Sequence, residues 1–304
     1  MSLRARVLNI WLRHIERPKL ERANDPVQLR RSLERQARYF FHSPRGTSHA
    51  ATLLGNIDAI RVLPRIVQKN RLLFYIHGGG FLFGSPETHA ALAAQLARRL
   101  QAPAVLPRYR LAPEQTYPAA PEDVRHAWDG LMAQGVDPGT VVLGGDSAGG
   151  ALAFGLLASL CADGAPLPGA VFGFSPLADL AYESDSVLRN APRDAILPGA
   201  RAPELAQMFL GGAPADDPRV SPCKGTFPDA PPAWITVGDT EILLDDARRL
   251  AAALRRDGAE VEFREKHDLP HVWPILHNFL PEARETLDEL AAWIRRQQGW
   301  ANES

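Results

Sequence analysis

Cysteine is nearly missing: 304 residues hold two, Cys161 and Cys223. Two are too few for a disulfide framework, and neither has a C-x-x-C partner or a nearby histidine pair, which argues against redox and metal chemistry. Cys161 reads as a small buried side chain. Long apolar runs are missing as well. Nothing approaches the length of a membrane span, and the first residues lack the uninterrupted apolar segment of a signal peptide, so the cytoplasm is the expected compartment. No G-x-x-x-x-G-K-[ST] occurs, and between Gly78 and Gly84 the last glycine comes one residue late for G-x-G-x-x-G, which removes the usual nucleotide motifs. There are no internal repeats and no low-complexity tract.

What remains is an ordinary globular composition, 45% hydrophobic and 23% charged, with material for one large domain or two modest ones. The net charge of −1 hides an uneven distribution, since residues 1–45 carry eleven Lys/Arg against four Asp/Glu. A basic arm of this kind suits nucleic acid or an anionic membrane, but no nucleic-acid module accompanies it. Leu3, Val7, Ile10, Trp11 and Ile15 also fall at helical spacing. The segment is therefore expected to be an amphipathic helix, its cationic face in solvent and its apolar stripe packed over the catalytic core. Contact with nucleic acid or with a membrane is not expected.

Beyond Ser43-Pro44-Arg45-Gly46, short apolar runs alternate with helical stretches. Candidate strands are 58–63, 71–76, 103–106, 140–144, 169–174, 233–237 and 260–265. Candidate helices lie near 87–100, 119–134, 148–162, 243–257 and 281–298. This alternation predicts a mostly parallel sheet with helices on both faces. It breaks between about 178 and 220, where no strand is expected and Pro203–Leu210 reads as a helix.

Two motifs carry chemistry. Gly145-Asp146-Ser147-Ala148-Gly149 is a G-x-S-x-G run between the strand-like Thr140–Leu143 and the small, apolar Gly150–Leu157. A serine on a tight strand-to-helix turn has its hydroxyl lifted clear of the sheet, with backbone N–H groups beside it. His77-Gly78-Gly79-Gly80 follows the apolar Leu72–Ile76. Three glycines let the backbone approach a ligand and turn N–H groups inward, as acyl transfer needs when charge develops on a carbonyl oxygen.

With these motifs together, residues 55 to 295 resemble the hormone-sensitive lipase-like family of α/β-hydrolases. Tyr109–Glu114, Tyr117–Ala120 and Asp217–Pro222 add to the likeness. The resemblance implies an α/β-hydrolase fold with a two-part helical cap. The cap is expected from residues 1–45 and 178–220, and the catalytic domain from 46–177 and 221–304. It also implies a serine carboxylesterase for short- to medium-chain acyl esters, without a cofactor, and a homodimer through an edge strand near 260–265.

A serine nucleophile needs a base, and the base an orienting acid. In α/β-hydrolases the order is Ser, then Asp or Glu, then His, which leaves His267, His271 and His277 as bases for Ser147. The family places its base in the loop after the last strand, where His271 stands. His267 and His271 are four apart, but Pro270 opposes a helix and Asp268 replaces the glutamate of H-E-x-x-H, so no metal is expected. The acid should follow strand 233–237, which leaves Asp239, Glu241, Asp245 and Asp246. The family's register of one acid four residues before an Asp fits Glu241 with Asp245, and makes Glu241 the triad acid and Asp245 a loop or cap residue.

The oxyanion hole is expected from the N–H groups of Ala148, Gly79 and Gly80. By resemblance His77 organises the glycine loop, Asp146 buttresses the turn, and Arg110 with Glu114 forms a polar network. Phe81, Leu82 and Phe83 line the pocket or fill the core. The rival readings are an amidase or arylformamidase with the same triad, a hydrolase-like receptor that binds without turnover, and a lipase working at a lipid interface through the basic N-terminal helix.

Overall fold

The computed structural model describes residues 1–23 and 25–300. Among them, eight strands form one sheet in the order β1-β2-β4-β3-β5-β6-β7-β8. The strands are β1 Ser48–Leu54, β2 Ile57–Leu63, β3 Leu72–Ile76, β4 Ala104–Pro107, β5 Val141–Asp146, β6 Ala170–Phe174, β7 Ala233–Gly238 and β8 Val261–Lys266. β1 and β2 pair antiparallel, as do β2 and β4, and every pairing from β4 to β8 is parallel. β3, β5, β6 and β7 are buried along their whole length. Both faces of a central parallel strand are covered by helices, so such strands carry near-continuous apolar runs rather than alternation.

The helices are α1 Leu3–Trp11, α2 Arg17–Arg22, α3 Pro26–Phe40, α4 Pro86–Leu100, α5 Ala119–Ala133, α6 Ser147–Ala162, α7 Asp185–Arg189, α8 Ala202–Leu210, α9 Leu244–Arg256 and α10 Pro281–Gln298. Leu92, Leu96 and Leu100 of α4 share a core with Leu287, Leu290 and Ile294 of α10 on one face of the sheet. α5, α6 and α9 cover the other, through Val124, Trp128, Leu152, Leu250 and Leu254. α6 is apolar nearly all round, as a helix enclosed on all sides must be.

β1 was not expected. Its side chains are mostly exposed on both faces, so an edge strand of this kind carries no apolar alternation to read. It joins β2 through Gly55-Asn56, where Gly55 takes a φ of 61° that suits a two-residue hairpin turn.

A second expectation fails at the N-terminus. Residues 3–22 are helical, with Leu12–Glu16 forming a wider π-type turn between α1 and α2. The side that packs, however, carries Ala5, Asn9 and Leu12, while Leu3, Val7, Ile10, Trp11 and Ile15 are exposed. Trp11 lines a cavity beside Ser147, but the other four side chains of the stripe do not cover the catalytic core. Periodicity finds an apolar line on a helix but not which neighbour it meets, and here Ala5, Asn9 and Leu12 make the inward side.

Between β6 and β7 the chain forms α7 and α8, with no strand in 178–220. The N-terminal helices touch this insert through arginines. Arg13 donates to the Arg193 carbonyl at 2.8 Å, Arg17 to that of Asp194 at 2.8 Å, and Arg201 to that of Leu20 at 3.0 Å.

Candidate active site

β3 and β5 are neighbours, yet the chain leaves β3 for β4 on one side before returning to β5 on the other. At such a reversal the loops beyond the strands' C-terminal ends part and leave a crevice. His77–Gly80 follows β3 there, and Ser147 follows β5.

Ser147 has a φ of 52°, a left-handed value that a non-glycine residue adopts only under constraint. A Cβ on Gly149 would lie 2.2 Å from the Ile76 carbonyl oxygen, and one on Gly145 would lie 2.4 Å from that of Gly149. The two flanking glycines are thus required by contact, not by habit. Ser147 is the first residue of α6 and Ala148, buried, the second. The N–H groups of a helix's first turn have no partner within the helix and point where its dipole is positive. Gly79, at a φ of 121°, lines the same cavity as Gly80, Ser147 and His271.

Asp146 ties the two motifs together. Its Oδ1 accepts from the Tyr75 hydroxyl at 2.7 Å and the Gly78 N–H at 3.1 Å, and its Oδ2 lies 3.3 Å from His89 Nε2. Burial would raise this carboxyl's pKa, but the His89 imidazole and the hydrogen bonds hold it below the ordinary value. His77 stacks on Tyr109 at 4.2 Å, and its Nδ1 lies 2.9 Å from the Gly78 carbonyl, which places the proton there. Burial, with the coulombic effect of His89 adding to it, lowers its pKa to about 3.

His271 Nδ1 lies 2.6 Å from Glu241 Oε2, both groups buried. Burial alone would lower the imidazole's pKa, yet the Glu241 charge and hydrogen bond outweigh it and raise it above 6.5. The other Glu241 oxygen accepts from the Gly238 N–H at 2.6 Å and the Ser175 hydroxyl at 2.7 Å. Ser175 Oγ in turn accepts from the N–H of Val272 at 3.1 Å, which links the acid to the backbone beside the base.

The other acid candidates take other partners. Asp239 Oδ2 meets His267 Nδ1 at 2.7 Å, with the histidine 78% exposed, and neither lines the cavity. Asp245 accepts from the Ser186 N–H at 3.0 Å, from Arg189 at 2.9 Å and from Arg248 at 2.9 Å, and so fixes α7 against α9. Asp246 accepts from the N–H groups of Ala178 and Asp179 and from the Ser184 hydroxyl. The expected Arg110–Glu114 network does not form. Arg110 pairs with Asp123 at 2.8 Å, while Glu114 pairs with Arg30 of α3 at 2.9 Å, because the loop between them turns the two side chains to different helices. Phe81 and Phe83 line the cavity, and Leu82 is core.

Sequence reasoning missed two residues. Ser175 follows β6 at a φ of 45°, and nothing in its spacing marks it. Asp194, in the insert, is buried. Its Oδ2 accepts from the N–H of Ile242, next to Glu241, at 2.9 Å, and its Oδ1 from those of Ile196 and Leu197. Burial, then the Glu241 charge, pushes its carboxyl above the ordinary pKa. Asn190 adds hydrogen bonds to the carbonyls of Asp239 and Glu241 at 3.2 and 2.8 Å. The insert thus grips the loop that carries Glu241.

The cavity measures about 550 Å³. Its walls are mostly apolar and come from α1, α3, the insert and the core, among them Leu12, Leu33, Phe41, Leu197 and Leu205.

The chain matches the α/β-hydrolase fold family over residues 73–275. It is 39% identical over 232 residues to an acetyl-hydrolase of Streptomyces hygroscopicus, covering 76% of this chain and 78% of that one. The crystal structure of an esterase/lipase from an uncultured bacterium superposes with a TM-score of 0.92 at 31% identity, over 98% of this chain and 100% of that one. An esterase from the bacterial hormone-sensitive lipase family gives 0.92 at 30% identity, over 98% and 99%.

Proposed function

The chain belongs to the hormone-sensitive lipase-like family of α/β-hydrolases and is a carboxylic ester hydrolase; from that premise we propose that it works through a Ser147–His271–Glu241 triad and an acyl-enzyme. The observation that carries the reading is the buried Glu241–His271 pair, whose histidine lines the same cavity as a serine on a strained turn. Ser147 Oγ attacks the ester carbonyl as His271 Nε2 takes its proton. Glu241 orients the ring and stabilises the imidazolium. The carbonyl oxygen becomes an oxyanion held by the N–H groups of Gly79, Gly80 and Ala148, each such donor being worth about 3 kcal/mol in the transition state. His271 then gives its proton to the departing alcohol, leaving the acyl group on Ser147. Water attacks this ester, loses its proton to His271, and the serine returns as the carboxylic acid leaves.

The substrates are short- to medium-chain acyl esters, small uncharged molecules suited to the apolar walls. The N-terminal helices and the insert serve as one cap, 1–45 with 178–220, over a catalytic domain of 46–177 and 221–304. Their mutual arginine hydrogen bonds and shared lining of the cavity support that division. The test is initial-rate hydrolysis of p-nitrophenyl esters from acetate to palmitate. Wild type is expected to peak at short or medium chains and Ser147→Ala to lose about 10⁶-fold in kcat. A Ser147→Ala enzyme within tenfold of wild type would overturn the assignment.

A further inference from the structure

α1 turns its apolar line away from the protein. Leu3, Val7 and Ile10 stand in solvent at 76%, 59% and 58% exposure, while Ala5, Asn9 and Leu12 face inward. At 3.6 residues per turn the three form one ridge, with Arg4 on one side and Arg6 on the other. Both arginines are exposed, and neither has an ion-pair partner among the described residues. Trp11, the residue after Ile10, lines the cavity. Trp11, Phe40 and Phe279 line the cavity yet remain a little under half exposed, and the rings of Phe40 and Phe279 meet at 6.1 Å.

We propose that this face docks on an anionic lipid bilayer, α1 lying flat in the interface, so that esters dissolved in the bilayer enter past the three aromatic side chains. A helix with an exposed apolar line between cationic flanks partitions into the headgroup boundary without spanning it. Among the described residues no helix is long and apolar enough to cross, so the contact is peripheral. Aromatic rings favour the same depth, and anionic headgroups supply the charge that Arg4 and Arg6 lack inside the protein. A second copy fits this face less well, because a two-fold axis would bring each protomer's Arg4 and Arg6 toward those of its partner. Entry of the ester rests on the esterase reading; docking does not.

Flotation of the full chain with vesicles separates the outcomes. Wild type is expected to float with vesicles of mixed phosphatidylglycerol and phosphatidylcholine, and far less with phosphatidylcholine alone. Affinity should fall roughly fivefold for each of Arg4→Gln and Arg6→Gln, and at least about tenfold for Val7→Asp with Ile10→Asp, which removes both aliphatic contacts. None of these side chains lines the cavity, so every variant should hydrolyse p-nitrophenyl butyrate in buffer at the wild-type rate. No flotation, or flotation unchanged in the variants, would overturn the proposal. So would a wild-type dimer that becomes a monomer in the Val7→Asp, Ile10→Asp variant, which would give the face to a second copy. Failure to hydrolyse esters in buffer would count against the esterase reading alone, since flotation does not depend on turnover.

Discussion

Glu241 and His271 meet at 2.6 Å; Asp239 and His267, from the same two loops, meet at 2.7 Å. By distance and residue type the pairs are nearly alike, and their surroundings separate them. The first is buried, borders the cavity that holds Ser147, and has its second carboxylate oxygen filled by Ser175 and Gly238. The second projects an exposed histidine into water. Exposed ion pairs are screened and worth about 0–1 kcal/mol. Enclosed pairs act in a low dielectric, where a fixed carboxylate strongly favours the imidazolium. A carboxylate beside a histidine is therefore common chemistry; burial beside the cavity of Ser147 sets the Glu241–His271 pair apart.

Substitution of the histidines should sharpen this contrast most. His271→Ala is expected to lower kcat by about 10⁶-fold, the loss typical of removing a triad base, with His267→Ala within about twofold of wild type, both read from initial rates on p-nitrophenyl butyrate. The acids come next. Glu241→Gln should cost about 10⁴-fold in kcat, as when a triad carboxylate becomes an amide, and Asp239→Asn almost nothing. If the two acid variants lost activity equally, the argument from burial would fail.

The pH profile tests the same pair through its charge. The base works neutral, so kcat/KM should fall as pH drops through the pKa of His271, which Glu241 holds above 6.5. In Glu241→Gln the raising charge is gone and burial lowers the pKa, so the acid limb should move to lower pH. Asp239→Asn should leave the limb in place. A loss smaller than that of His271→Ala or Glu241→Gln is expected at Asp194, which grips the Glu241 loop through the Ile242 N–H without touching Ser147 or His271. Asp194→Asn should cost about ten- to a hundredfold in kcat, the worth of one buried hydrogen bond to a charged group. KM should change little and the acid limb should shift, which loss of folded protein alone would not produce.

Much of this was legible beforehand where the physics is local. The turn at Ser147 needs small neighbours within a few residues, so its glycines sit in one short motif. The strands β3, β5, β6 and β7 declared themselves as near-continuous apolar runs because both of their faces are covered. β1 stayed hidden for the opposite reason, being exposed on both sides. Asp194 and Ser175 were out of reach because their partners lie far off in sequence. Ser175 meets Glu241 across 66 positions, and Asp194 meets Ile242 across 48.

By itself, then, the sequence determined the alternation of strands and helices, the turn that carries Ser147, the glycine loop facing it and a short list of acids and bases. The first three follow from steric and hydrogen-bonding demands within about a dozen residues, and the list of acids and bases from the chain order that the resemblance to α/β-hydrolases implies. Only the tertiary structure decided which acid meets which histidine, which pair is sheltered from water, and which side of the N-terminal helix is buried. Those outcomes depend on close packing between segments distant in the chain, where side-chain volume and the enclosure of charge act together and no local pattern records the result.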